Sequence, residues 1–194
     1  MPVLQRFTQG RQSSKGSDIV RVMRKTSPQS FWNWYDDYAL SRLRNVNARM
    51  YRGRTFRAML EHLDSLGREV CIVETGCIEG DTANHWSGNG CSTIIFDQYV
   101  QHNGGHVFSV EIDPKKVSAA RKMVSDRTTI TCGDSVEYLK AFHAEAPDLV
   151  YLDASHHLWH FQTPSQVHHY NEFMAIHPML RPSCVVAVDD RTTD

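Results

Sequence analysis

The sequence predicts an α/β fold in three layers, with a doubly wound, mostly parallel sheet between two layers of helices. Five strand-like runs alternate with helix-like segments between residues 68 and 190, which is typical of successive βαβ units. The runs are continuously apolar rather than alternating, as in parallel strands that are covered on both faces. Each run ends at a glycine or an acidic residue, at the edge of the sheet where such folds bind ligands.

The chain begins with a polar, basic segment. Residues 1–27 contain six Lys or Arg residues and one acid, Asp18, which indicates a loosely docked arm or, alternatively, an organelle transit peptide. Residues 30–45 are rich in aromatic side chains at helical spacing. This helix either packs into the core or covers a ligand pocket. We therefore divide the chain into an arm with an aromatic helix (1–45) and a main domain (46–194).

The main domain opens with a helix over residues 54–66, whose apolar side chains share one face. Strands and helices then alternate. The predicted strands are 68–76, 105–113, 128–134, 147–155 and 183–190, and the helices between them are 91–102, 114–126, 135–146 and part of 164–180. Pro114 is well suited to the first turn of its helix.

Composition narrows the functional classes. The 194 residues carry a net charge of −1, which gives no electrostatic reason to expect nucleic acid or an anionic membrane as a partner. No apolar run reaches the ~20 residues needed to span a bilayer, and the N-terminus lacks the apolar core of a secretory signal. The five cysteines form no CxxC pair. They predict buried, reduced thiols in a cytoplasmic protein, with a disulfide framework or zinc site as the alternative.

The loop after the first strand is the first candidate for a ligand site. Glu74 and Gly76 end the strand, and Gly88 and Gly90 lie on the far side of the loop. Glycines allow the backbone to turn tightly and to approach a ligand closely. Ser92 or Thr93 would then cap the next helix, whose N-terminus favours a carboxylate or phosphate.

The next three strand ends each carry an acid. Glu111 ends the second strand, where a carboxylate can accept hydrogen bonds from both hydroxyls of a ribose, and Asp113 follows as a helix cap or a further ligand contact. Asp134 and Ser135 follow the third strand, where Asp134 either caps a helix or reads the edge of an adenine. Asp153 ends the fourth strand.

The order and spacing of these strand ends over residues 69–190 resemble class I S-adenosylmethionine (SAM)-dependent methyltransferases. The resemblance implies a Rossmann-like fold and SAM as the cofactor. It places Glu74 and Gly76 beside the methionine part of SAM, Glu111 at the ribose, Asp134 and Ser135 at the adenine, and Asp153 near the methyl group. The phosphate-cradling GxGxxG of dinucleotide-binding dehydrogenases is absent after the first strand.

Two features depart from the family pattern. Ile78 stands where the family usually has glycine, so we interpret residues 78–87 as an insertion. The family sheet normally has seven strands, and only five are predicted. Either the chain lacks the last two, as a fragment would, or a partner such as a second copy covers the exposed sheet edge.

The fourth and fifth strand ends suggest a metal site. Asp153, Asp189 and Asp190 are expected to be neighbours, and three close carboxylates repel one another unless a cation is bound. Oxygen ligands suit Mg²⁺. The pattern is similar to that of catechol-type O-methyltransferases, whose metal binds the acceptor hydroxyl. Alternatively, Asp189 or Asp190 only caps a turn.

A proton acceptor is also expected near the methyl group. Five of the eleven histidines lie within residues 156–169, and His156, beside Asp153, is our candidate general base. A zinc site at His156 and His160 is an alternative.

The sequence thus predicts O-methylation of a small-molecule hydroxyl. The alternatives are a metal-independent N- or protein methyltransferase and an inactive SAM-fold subunit. The absence of a D/N-P-P-Y/F tetrad after the fourth strand disfavours a nucleic-acid substrate.

Overall fold

In the computed structural model, residues 30–43, 52–81, 85–86, 91–154 and 162–189 are described. The helices are α1 (Phe31–Trp34), α2 (Leu40–Leu43), α3 (Arg52–Ser65), α4 (Ser92–Asn103), α5 (Pro114–Ala120), α6 (Ser135–Lys140) and α7 (Gln162–Ile176). The strands are β1 (Val70–Thr75), β2 (Gly105–Glu111), β3 (Thr128–Cys132), β4 (Leu149–Leu152) and β5 (Val185–Val188). A π-helical turn (Tyr35–Ala39) joins α1 to α2, and a 3₁₀ turn (His177–Met179) follows α7.

The five strands form one sheet in the order β3-β2-β1-β4-β5. All four pairings are parallel, and β1 is central, with Thr75 opposite Val110 on one side and Leu152 on the other. The chain therefore places β2 and β3 on one side of β1, and β4 and β5 on the other. The switch in strand order lies between β1 and β4. This confirms the predicted doubly wound α/β fold and fixes the edge at which a ligand is expected.

Two cores cover the two faces of the sheet. Val70 and Ile72 of β1 pack with α3 and α4, whereas Cys71 and Val73 of the same strand pack with α6 and α7. Successive residues of a strand point to opposite faces, so an entirely buried strand needs a core on each side. All six residues of β1 are buried, as the continuously apolar run predicted.

The predicted helix ends differ most from the structure. The helices predicted over 114–126 and 135–146 end at Ala120 and Lys140. Turns, bends and irregular backbone replace the remaining residues. The Arg121 side chain binds the Ile130 carbonyl oxygen through Nε and Nη2. Asp113 and Asp134 cap these two helices, as expected of an acid before a first turn.

The aromatic segment shares the core of the main domain. The Phe31 ring contacts the Tyr99 ring edge-on at 5.1 Å, and the Trp32 indole donates to Asp64 at 2.8 Å. Phe31 and Tyr35 belong to the same buried cluster as the strands. Within residues 30–43, the segment thus packs on the sheet layer through α3 and α4.

At the amino ends of the strands, the buried acid Asp148 joins the segment before β4 to the segment before β1. Asp148 is 1% exposed, accepts two hydrogen bonds from the Arg68 guanidinium at 2.5 and 2.9 Å, and accepts a third from the backbone of Cys71.

All five cysteines are free, and two of them, Cys71 and Cys91, are buried. Among the described helices, none is both long and apolar enough to cross a membrane.

Candidate functional site

The loops after β1 and β4 touch each other at the carboxyl edge of the sheet. Gly76 has φ +80°, and a Cβ built on it would lie 2.5 Å from the carbonyl oxygen of Asp153. The backbone of Gly76 donates to Val110 and that of Asp153 donates to Thr75. Only a glycine fits this combination of left-handed backbone and close approach, which explains the glycine at the end of β1.

Glu74 lies beneath this loop and is completely buried. Its carboxylate accepts hydrogen bonds from three hydroxyls: Ser92 at 2.6 Å, Thr93 at 2.8 Å and Ser109 at 2.8 Å. Burial raises the pKa of Glu74 to about 7, although the three hydroxyls oppose this shift. Glu74 therefore does not face the cavities described below. It joins β1 to α4 and β2 and fixes the floor of the site.

The start of α4 differs from the prediction that Ser92 or Thr93 caps it. The N-cap is Cys91, in the left-handed conformation (φ 49°) and without a side-chain cap. Both hydroxyls instead turn inward to Glu74, because a buried carboxylate without donors is far more costly than an uncapped helix. Thr93 also accepts a hydrogen bond from the backbone of Ile78 at 2.9 Å, which attaches the beginning of the insertion.

A cavity of about 190 Å³ opens above this floor. Four of the predicted site residues besides Gly76 line it: Ser92, Glu111, Asp113 and Asp153. One oxygen of the Glu111 carboxylate accepts from the backbone of Asp113 at 2.8 Å, so the acid is held in position at the end of β2. The remaining lining residues include Glu79, His85 and Lys116; Lys116 and Glu79 form an ion pair.

A second cavity, of about 180 Å³, adjoins the first toward β3. Asp134 and Ser135 line it, together with His168 of α7. Four residues line both cavities: Gly76, Glu111, Ile112 and Ala154. Each cavity alone is smaller than the ~300–1,000 Å³ typical of small-molecule sites. Because the two cavities share these four residues, they adjoin each other, and we refer to them together as the groove across the ends of β1, β2, β3 and β4.

His168 belongs to a polar cluster behind the second cavity. Its Nε2 lies 3.1 Å from the Ser135 hydroxyl and 3.2 Å from the Glu172 carboxylate. Glu172 is completely buried and also contacts Nδ1 of His169 at 2.9 Å. This cluster holds α7 against the start of α6. Ser135 and Glu172 both contact Nε2 of His168. A catalytic triad uses both ring nitrogens of its histidine, so these three residues do not form one.

Asp189, a predicted metal ligand, forms an ion pair with Arg52. Nη2 of Arg52 lies 2.7 Å from Oδ2 of Asp189, and Tyr151 donates to the same oxygen at 2.7 Å. Burial, together with the charges of Asp189 and Asp153, raises the pKa of Tyr151 well above its usual range. Within the described residues, no group of three His, Cys, Asp or Glu side chains could hold a metal ion.

The insertion rests on the aromatic segment. Trp86 is buried, its indole donates to Asp81 at 2.6 Å, and its ring contacts Tyr38 edge-on at 5.7 Å. Burial raises the pKa of Tyr38, and the charge of Asp81 adds to this shift. This contact joins the described part of the insertion, whose His85 lines the cavity, to the aromatic segment.

Four predicted site residues lie outside the described part of the chain: Gly88, Gly90, His156 and Asp190. Conversely, several residues that the sequence did not single out lie here: Ile112, Lys116 and His168 line the cavities, and Arg52 pairs with Asp189 after β5. Ile112 was recognisable as an apolar side chain between two acids at a strand end, and it is 68% exposed at the mouth of both cavities. The others come from helices, and only the packing of those helices brings them close.

Comparisons with known proteins identify the family of this chain. A family described as a methyltransferase domain matches residues 73–191. No curated protein sequence matches the chain significantly. Among solved structures, a caffeoyl-CoA O-methyltransferase candidate from Staphylococcus aureus is 14% identical and has a TM-score of 0.50; the match covers 90% of this chain and 72% of that one.

Two further solved structures match part of the chain at lower TM-scores. The methyltransferase MycE of the mycinamycin biosynthetic pathway, solved with Mg and S-adenosylhomocysteine, is 18% identical with a TM-score of 0.47; the match covers 71% of this chain and 32% of that one. Cofactor-bound Rv0187 from MTB is 16% identical with a TM-score of 0.49, and the match covers 92% of this chain and 73% of that one. This chain thus spans about a third of MycE and about three quarters of the other two.

Proposed function

Because the chain belongs to the methyltransferase-domain family and has the class I SAM-dependent fold, we propose that it transfers the methyl group of SAM to a hydroxyl of a small-molecule acceptor. The observation that carries this proposal is the single groove formed by the two cavities that share Gly76, Glu111, Ile112 and Ala154. It runs across the strand ends, and its acids include Glu111 of β2 and Asp134 of the loop after β3.

The groove suits the three parts of SAM. Gly76 and Ser92 line the larger cavity, where the methionine part would bind. Glu111, held by the backbone of Asp113, would accept hydrogen bonds from the ribose hydroxyls. Ile112 offers an apolar surface to the adenine, and Asp134 and Ser135 line the far end of the groove.

Bound SAM supplies a methyl group that its sulfonium already activates, so the protein contributes alignment and removal of the acceptor proton. Asp153 lines the larger cavity at the end of β4 and would position the acceptor hydroxyl. His156 stays our candidate for the general base. Replacement of His156 by Ala is expected to lower turnover while SAM binding is unchanged; unchanged turnover would exclude His156 as the base.

A divalent metal fits the described residues poorly. Asp153 and Asp189 are two of the three predicted ligands, and Asp189 already pairs with Arg52 and accepts from Tyr151. We therefore derive no step through Mg²⁺. The acceptor hydroxyl must instead be oriented and deprotonated by side chains.

One observation favours a nitrogen acceptor as a second candidate. Four acids line the larger cavity, Glu79, Glu111, Asp113 and Asp153, against one lysine that pairs with Glu79. Acid-rich walls attract an ammonium group. Release of S-adenosylhomocysteine, measured with catechols and with primary amines in the presence of EDTA, distinguishes the two acceptor classes.

Binding of S-adenosylhomocysteine by calorimetry tests the cofactor site first. We expect Glu111→Gln to weaken binding by about tenfold or more, because a hydrogen bond to a charged group contributes ~1.5–3 kcal/mol. Glu137→Gln is the matched control, since that glutamate is exposed on α6 and pairs with Lys140. Equal affinity of the Glu111 and Glu137 variants would contradict the assigned ribose contact, and no binding by folded wild type would overturn the proposed function.

A further inference from the structure

We propose that the Arg52 guanidinium takes the place of a divalent cation beside Asp153 and Asp189, so that the acceptor end of the site excludes metal ions. The inference rests on the proposed function only in assigning these two acids to the acceptor end. Arg52 is the first residue of α3, and Asp189 directly follows β5. The helix thus delivers a cation to Asp189 at the end of β5, next to the end of β4 that Asp153 follows.

The contact geometry leaves little access for a metal ion at Asp189. Nη2 of Arg52 and the hydroxyl of Tyr151 both lie 2.7 Å from Oδ2 of Asp189. The side chains of Arg52 and Asp189 are 19% and 16% exposed. A divalent ion at this oxygen would have to displace both donors. It would also lie next to the positively charged guanidinium, and in this largely buried place solvent and salt screen the repulsion between the two cations only weakly.

The charge on Arg52 is permanent. Burial alone would lower its pKa, but Asp189, Tyr151 and Asp153 outweigh this effect and raise the pKa further. Asp153, which lines the larger cavity, follows β4 directly beside the end of β5, since Leu152 pairs with Val188. One guanidinium therefore compensates part of the negative charge for which the sequence suggested a metal, and it does so at every physiological pH.

This arrangement makes Arg52 a positioning residue. The guanidinium is planar and carries five N–H donors in a fixed fork, so it holds Asp189 in a defined orientation and sets the electrostatic environment of Asp153. A single positive charge polarises an acceptor hydroxyl much less than a divalent ion does. The reaction must therefore rely on a protein base or on an acceptor of low pKa.

Binding of Mn²⁺, followed by electron paramagnetic resonance of the full chain saturated with S-adenosylhomocysteine, tests the proposal without any acceptor. Wild type is expected to leave Mn²⁺ free in solution. Arg52→Gln is expected to bind one Mn²⁺ at least about tenfold more tightly than wild type, and a second substitution, Asp153→Asn, is expected to abolish that binding. Arg52→Lys keeps a positive charge and is expected to exclude Mn²⁺ as wild type does.

Arg57→Gln is the matched control, because Arg57 lies on the same helix and pairs with Asp36, away from the strand ends. It is expected to behave as wild type. Stoichiometric Mn²⁺ binding by wild type that Asp153→Asn removes would overturn the proposal. So would the failure of a folded Arg52→Gln variant to gain binding. If Arg52→Gln does not fold, the comparison of wild type with Arg52→Lys and Asp153→Asn still decides whether the native site takes a metal. Binding of S-adenosylhomocysteine, recorded for each variant, separates failure of this proposal from failure of the proposed function.

Discussion

The carbonyl oxygen of Asp153 lies 2.5 Å from the position that a Cβ of residue 76 would occupy. Gly76 is therefore the point at which the loop after β1 rests on the loop after β4. Both residues line the larger cavity, so the contact that closes the sheet edge also shapes the groove.

Gly76→Ala is expected to destabilise the fold by about 1–3 kcal/mol and to weaken S-adenosylhomocysteine binding, since the new Cβ meets backbone and φ is +80°. Urea unfolding and calorimetry measure the two effects. Gly67→Ala is the control: its φ of +62° imposes strain, but no atom lies within 4 Å of the added Cβ. If Gly76→Ala lowers stability and affinity no more than Gly67→Ala does, the close approach of residue 76 to Asp153 contributes neither to stability nor to binding.

Glu74 is expected to make stability depend on pH. Its pKa is about 7 in the folded protein because of burial, against an ordinary 4.5, so between these values the folded state binds more protons than the unfolded state. Stability from this group is highest below pH 4.5 and falls as the pH rises through 7. The loss is about 3 kcal/mol.

Glu74→Gln removes the titration. Urea unfolding of both proteins at pH 5 and pH 8 should therefore show the wild type losing stability relative to the variant as the pH rises. Glu137→Gln, at an exposed position, is expected to leave the pH dependence unchanged. A constant difference between wild type and Glu74→Gln at both pH values would contradict a raised pKa for Glu74.

Ile112→Ser separates binding from folding. Because Ile112 is 68% exposed, its replacement is expected to change the free energy of unfolding by less than about 0.5 kcal/mol. It removes the apolar wall shared by both cavities, so S-adenosylhomocysteine is expected to bind several-fold more weakly. Val167→Ser, at an exposed position on α7, controls for loss of surface apolar area. Unchanged affinity of Ile112→Ser would show that the nucleoside does not contact this side chain.

Asp148→Asn is expected to lower the stability of the fold without changing the affinity for S-adenosylhomocysteine. It disrupts a carboxylate that is 1% exposed and accepts from Arg68 and from the Cys71 backbone, so we expect a destabilisation of about 1–3 kcal/mol. The site lies at the other edge of the sheet, and the affinity for S-adenosylhomocysteine is expected to be unchanged in the folded variant. A large loss of affinity at full folding would mean that the two edges are energetically coupled.

The sequence predicted the sheet well because each strand is a buried run with a marked end. Continuous apolar residues, glycine after β1 and acids after β2 and β4 are local signals, and the structure places them at one edge. Helix ends were predicted less well, since the turns after Ala120 and Lys140 depend on contacts with other elements. Residues Gly88, Gly90, His156 and Asp190 stay predictions, because they lie outside the described residues.

Two features of the site depended on tertiary contacts. The inward turn of Ser92 and Thr93 follows from the need of buried Glu74 for donors, and an acid within an apolar strand was a signal for it. The pairing of Arg52 with Asp189 had no such signal. Arg52 precedes the first strand in a basic stretch, and only the packing of α3 against the sheet brings it to the end of β5.

The ion pair between Arg52 and Asp189 also bears on the order of folding. It closes a chain loop that contains all five strands, whereas the cofactor groove is built from the ends of β1 to β4 and from His168 of α7, and includes no residue of β5. Closing a longer loop costs more conformational entropy, and contacts of high sequence separation form late. The nucleoside end of the groove is therefore expected to become organised before β5 joins the sheet, and the acceptor end last.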